Sequence, residues 1–545
     1  MSVADLVLAD VDVYTGNADQ PWAHGVAVTG GRITAVADDP AGLREFVGPG
    51  TDVVALPGRL VVAGFQDSHI HAPFAGRFRI NVSLHDLDGV EAYLERIAEY
   101  AHANPDKEWI YGSGWAMSHF PGGNPSKALL DEIVPDRPVF LFNRDVHSAW
   151  VNSVALERGH VTRETADPWD GRIERDPATG EPIGTLHEGA AYTFANDFVP
   201  EPDRAEWERS ILNAQQYLHS LGITGWQDAW VTPFTEGAYR ALAADGRLTA
   251  RVVGALWWDR NRGLDQVADL LGRREQGSVG NFHPDAVKIM TDGVVENFTA
   301  ALIKPYCDAH GHETDNAGYT YLDHDELAAA VVALDAVGFQ VHMHSLGDRA
   351  VRNALDAVEA AIVANGRRDA RHHLAHLQLV ARDDVARFAE LGAVANCQPY
   401  WAQSEPQMEL LTIPFLGEDR ASYQYAFGDL LRSGARLAFG SDWSVTTPNP
   451  LEELEVAVTR IDPEMRESAP FLPEQRLSLK EAIDAFTSGS AYVNFDDSDA
   501  GTVEVGKRAD LAVIDHNLFA ADAGNIADGC VEWTFVSGQA VHAPS

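Results

Sequence analysis

Residues 64–71 read GFQDSHIH, and the four residues before Gly64 are Leu60-Val61-Val62-Ala63. That apolar run is short, β-branched and bounded by Gly58 and Gly64, the pattern of a fully buried strand. Residues two apart in a strand project to the same side, so His69 and His71 point together from its C-terminal end. Two neutral imidazoles placed that way supply two corners of a metal site. An isolated H-x-H pair reads first as hydrogen-bonded surface or core histidines. The remainder of the chain decides between the two.

Working outward, short apolar segments alternate with helical ones. Strands are predicted at Leu60–His69, Ile223–Trp230, Ala250–Trp257, Ala286–Asp292, Phe339–His344, His372–Gln378, Ala393–Gln398 and Leu437–Asp442. Helical stretches such as DELAAAVVALDAVG and RDDVARFAELGA separate them, each running into a glycine suited to a C-terminal cap. Eight strands with intervening helices give an α/β chain folded as a (β/α)8 TIM-like barrel over residues 60–499. Both ends of the chain are β-patterned. Residues 1–59 and 500–545 are therefore expected to form one small composite β-sandwich domain. Between the first and second strands lie roughly 150 residues, far more than a βα connection needs. A subdomain inserted at about 75–205 is expected there, over the C-terminal face where such barrels keep their active sites.

Composition narrows the partners. With 41 basic and 81 acidic residues, the net charge of −40 disfavours a nucleic acid or an anionic membrane surface. No apolar run approaches a membrane span. The start lacks a basic segment followed by a long apolar one. The three cysteines, Cys307, Cys397 and Cys530, form no paired motif. The expectation is a cytoplasmic protein acting on a small-molecule substrate, with a homodimer as the candidate assembly.

Ionisable residues gather at the predicted strand ends: His69 and His71, then Lys288, His344 with His342 one step deeper, His376 and Asp442. His342, His372 and His373 read as structural. Any one of the others has an ordinary explanation, as an ion pair or a cap. Together on one face of a barrel they point to a metal centre.

Here the chain resembles the amidohydrolase superfamily, and within it the amidohydrolase 3 group of YtcJ-like proteins and N-substituted formamide deformylases. The resemblance is carried by GFQDSHIH, GSGWAMSHFPGGNPSKALLD, DRPVFLFNRDVHSAWVNSVAL, KIMTDG, HSLGDRAV, GSDW and GTVEVGKRADLAVID. It implies that His69, His71 and Asp442 bind one divalent ion, expected to be zinc, and that His344 and His376 bind a second. It also implies that Lys288, carbamylated by carbon dioxide, bridges the two. At strand six the family form is closer to EHAQ, whereas this chain has AHLQ, with His376 as the natural match.

A carbamate turns an unwelcome ammonium into an anionic ligand, and paired cations acidify water for attack on an amide-like C–N bond. Asp442 is the expected general acid–base and His147, in DVHSAW, the expected carbonyl or leaving-group contact. Trp115, Phe120, Trp150, Asp292 and Trp443 are candidates for binding substrate. The favoured reaction is hydrolysis of an N-substituted amide, with an N-substituted formamide as subclass. The alternatives are a mononuclear deaminase of a ring C=N bond, a Schiff-base lyase using Lys288, and a non-catalytic binding or regulatory protein.

Overall fold

The computed structural model describes residues 3–544. Eight parallel strands run in chain order around a barrel. They are β1 Phe65–Ile70, β2 Ile223–Val231, β3 Arg251–Trp257, β4 Phe282–Met290, β5 Gln340–Ser345, β6 His373–His376, β7 Val394–Cys397 and β8 Leu437–Phe439. Each is hydrogen-bonded to the next. All eight predicted strands are present, though several are shorter than expected.

Alternation along the strands explains the apolar patterning. Val341 and Met343 of β5, and Val287 and Ile289 of β4, join the large core beneath the surrounding helices. The residues between them, His342, His344 and Lys288, take the opposite side of their strands. Helices such as Pro233–Ala244, His324–Ala336 and Asp348–Asn365 cover the outside. None of the helices among the described residues is long and apolar enough to cross a membrane.

The contact that returns the ring from β8 to β1 is made beside the ladder. The Asp442 amide donates to the His69 carbonyl at 2.8 Å, and the His71 amide to the Trp443 carbonyl at 2.9 Å. One turn lower, the Ser68 hydroxyl donates to the Phe439 carbonyl at 2.7 Å. Asp67, fully buried, accepts from the His69 amide at 3.0 Å and from the Ser441 hydroxyl at 2.5 Å. Gly440 lies so close to β1 that a Cβ there would sit 2.5 Å from the His69 nitrogen.

The strand Leu60–Ala63 corrects the opening reading. It does not continue into the barrel but pairs antiparallel with Leu511–Ile514 and parallel with Leu6–Tyr14. The chain switches sheets at Gly64. One mixed sheet thus draws eight strands from both ends of the chain. Leu60 and Val62 face the barrel core while Val61 and Ala63 face a second core with Leu8, Val13 and Leu511.

A separate six-stranded sheet, with strands from Val82–Ser83 to Pro182–Glu188, is formed by the stretch of chain that follows the helix Ala72–Ile80 and precedes the helix Arg204–Ser220. The rings of Trp115, Phe120 and Trp150 pack edge-on against one another within it, at centroid distances of 5.3–6.4 Å.

If β8 is pressed against β1 this closely, Gly440→Ala should lower stability by about 1–3 kcal/mol through overpacking. Thermal or denaturant unfolding reads this directly, and an unchanged midpoint would contradict the close seam.

Candidate metal centre

At the C-terminal end of the barrel, β1 ends at Ile70, and His71 stands at the N-terminus of the following helix. The Nε2 atoms of His69 and His71 lie 3.4 and 3.0 Å from Oδ1 of Asp442. Among the described residues, these three bring one ligand atom each within 4.8 Å of one another. His376 extends the group, with Nδ1 3.8 Å from Oδ2 of Asp442. His344 lies beyond it, the two imidazole centroids 4.6 Å apart. The register aligns Met290 with His344 and Ser345 with His376, so β4, β5 and β6 present their ends side by side.

The ligand-type side chains are held from behind. His342 Nε2 is 2.7 Å from His69 Nδ1, which leaves Nε2 of His69 facing Asp442. Asp292 Oδ1 lies 3.2 Å from His344 Nδ1, and the same carboxylate accepts from the amides of Ala301, Leu346 and Gly347. Partners of this kind fix the tautomer and direction of ligating histidines. His376 and Asp442 also hold left-handed backbone conformations, φ 82° and 55°. Such conformations cost about 1–3 kcal/mol each and persist where the surroundings enforce them.

Burial sets the charges. It holds His69 and His344 well below the ordinary histidine range and His376 at about 3, so these imidazoles are neutral, the form that binds metal. Burial also brings Lys288 down to about 7, against the upward pull of Asp442 and Asp228. Asp442 resists the same burial through its hydrogen bond and charge contact with His71, and stays below the usual carboxylate value. His69 Nε2, His71 Nδ1 and His376 Nδ1 are buried without a hydrogen-bond partner. Orphaned buried donors and acceptors are costly. Three imidazoles around a carboxylate are a set that a divalent cation satisfies. The residues present fit a metal.

The sequence model described as "Amidohydrolase family" matches residues 52–542. The chain belongs to the amidohydrolase family. It is therefore a hydrolase of carbon–nitrogen bonds in small molecules. The amidohydrolase is 30% identical to Protein LONG AFTER FAR-RED 3 of Arabidopsis thaliana, over 99% of this chain and 92% of the relative. It is 27% identical to an N-substituted formamide deformylase of Arthrobacter pascens, over 98% and 97%. Its fold matches a crystal structure titled as an uncharacterized metal-dependent hydrolase from Pyrococcus horikoshii, with TM-score 0.74, 24% identity and coverage of 95% and 99%.

Above the centre opens a cavity of about 470 Å³, with His69, His71, Lys288, His344, His376 and Asp442 all exposed to it. His147 reaches it from the insert. Other expectations move. Trp115, Phe120 and Trp150 belong to the insert's own core, because their rings are the mass around which its sheet packs. Asp292 is turned to His344 and three amides and does not line the cavity. Trp443 packs on Tyr217, and its neighbours Ser444 and Val445 line the wall instead. The aromatic lining includes Phe142, Tyr192, Trp230 and Trp257. Trp230 and Trp257 end predicted strands, so a search of strand ends for aromatics as well as ionisable groups would have found them. Glu188, discussed below, left no such signal.

Asp292→Asn should weaken metal binding about 10- to 100-fold while leaving the fold intact, since the lost contact orients His344 rather than the barrel. Titration against a competing chelator measures it, and unchanged affinity would remove Asp292 from this role.

Proposed function

We propose that this amidohydrolase holds two divalent ions, expected to be zinc, and cleaves the C–N bond of an N-substituted amide, with N-substituted formamides favoured. The observation that carries the reading is the convergence of five ligand-type side chains and Lys288 on one cavity floor, with buried ligand atoms left unpartnered. The deformylase relative, aligned over nearly the full length of both chains, supports the formamide subclass.

In this reading His69, His71 and Asp442 would hold one ion and His344 and His376 the other, and Lys288 would add an anionic ligand once carbamylated. When bound, the ions supply an acidified water and Lewis acidity toward a carbonyl. With its value near 7, the Lys288 amine is partly unprotonated at neutral pH. Its Nζ lone pair adds to the carbon of carbon dioxide and a proton leaves, so a cationic side chain becomes an anionic one. The ionised Asp442 takes a proton from the attacking water and returns it to the departing nitrogen. His147 faces the cavity from above and donates to the carbonyl oxygen. The rings of Trp230 and Trp257, 5.1 Å apart, hold the N-substituent and exclude water.

Protein purified without chelator and reconstituted with zinc is expected to hold about two ions per chain. It should hydrolyse members of a panel of amides and formamides in preference to esters. One ion with full activity contradicts the two-ion reading. Asp442→Asn keeps the shape and an acceptor but takes no proton, so kcat should fall at least about 100-fold with a much smaller change in KM. A normal kcat with only a lowered melting temperature would mean that Asp442 merely caps the turn.

A further inference from the structure

Glu188 is a buried carboxylate in the insert, at the end of the strand Pro182–Glu188, and its surroundings are unusual. Its Oε2 lies 2.8 Å from His147 Nδ1. The Tyr321 hydroxyl donates to the same Oε2 at 3.1 Å, and the Thr299 hydroxyl to Oε1 at 2.7 Å. Its backbone amide donates to the His147 carbonyl at 2.8 Å. Thr299 and Tyr321 come from the long loop after β4, so this one carboxylate joins insert to barrel.

The fit is close. A Cβ on Gly293 would lie 2.7 Å from Glu188 Oε1 and 2.2 Å from Thr299 Oγ1, so only glycine lets that loop approach. Glu188 itself has φ 51°, a left-handed conformation that its contacts must hold in place. With Nδ1 occupied, Nε2 is the nitrogen His147 has left for the cavity it lines.

We propose that Glu188 is a positioning residue whose carboxylate, latched to the β4 loop, fixes the His147 ring with Nε2 directed at the substrate carbonyl. The role of His147 in this proposal rests on the amide-hydrolysis reading above. The latch itself does not. It follows that the insert contributes to the chemistry only when docked on that loop.

The test compares Glu188→Gln, His147→Asn and the double variant in zinc-reconstituted enzyme. Glu188→Gln keeps the size but not the charge. It should lower kcat about 10- to 100-fold, shift KM less than about threefold and leave zinc content unchanged. The double variant should be no slower than His147→Asn alone, because Glu188 acts through that ring. Additive losses, or loss of zinc in Glu188→Gln, would overturn the proposal. Tyr321→Phe, which removes one donor to the same carboxylate, should show a smaller loss of about 3- to 10-fold with the same lack of additivity, and serves if Glu188→Gln does not fold.

A readout that needs no substrate is the proton NMR spectrum. The wild type should show a strongly downfield imidazole N–H resonance that is absent in His147→Asn. In Glu188→Gln and Tyr321→Phe it should be lost or moved upfield. Its persistence unchanged in both would overturn the latch. If no amide is turned over, the functional reading fails while this resonance still decides the role of Glu188.

Discussion

The meeting of β8 with β1 is the constraint on which the centre depends. A barrel of eight parallel strands has one place where the last strand must find the first, and here the residues that make that contact also carry side chains of the kind that bind metal. The Asp442 amide binds the His69 carbonyl while the Asp442 carboxylate faces the His69 and His71 rings. Asp67, buried beneath them, gathers the amides of His69 and Ser441 on one carboxylate. Closing the barrel therefore sets the spacing of His69, His71 and Asp442. The left-handed backbone of Asp442 is the strain that this dual duty imposes.

Around that seam the remaining groups are arranged by layers. Lys288 pairs in register with His342, and His342 pairs with His373, so a polar layer runs from Lys288 on the cavity floor across the neighbouring strands. His342 is spent on His69, and His373 on Asn396 at 3.0 Å. Lys288 has no comparable partner, and burial strips much of its preference for a proton. A buried lysine left in that condition is a poor structural cation and a good nucleophile toward carbon dioxide. The insert completes the site from the other side, bringing His147, Phe142 and Tyr192 over a floor that the barrel provides.

Much of this was legible in the sequence, because strands buried on both faces announce themselves as short apolar runs, and polar residues at their ends stand out against them. His69, His71, Lys288, His344, His376 and Asp442 were all found that way, and the structure gathers them on one floor. The misreadings have physical causes too. Leu60–Ala63 and Phe65–Ile70 follow one another with only Gly64 between them, so they read as one strand, and the switch between sheets turns on that glycine. Trp115, Phe120 and Trp150 lie in motif-rich segments, but an inserted sheet needs aromatic mass for its own core as much as a pocket does. Asp292, at the end of a predicted strand, reads from sequence as a substrate contact, yet its carboxylate is used by His344 and three amides. Glu188 could not be read at all: its meaning lies in Thr299 and Tyr321, more than a hundred residues away.

The bridging role proposed for Lys288 is the point at which fold, charge and chemistry meet. It is tested most directly by crystals of zinc-reconstituted enzyme grown with bicarbonate and measured at the zinc absorption edge. Two anomalous peaks should flank Lys288, one near His69, His71 and Asp442 and one near His344 and His376, with continuous density for a carboxylate on Nζ. A single peak beside a bare lysine amine would contradict it.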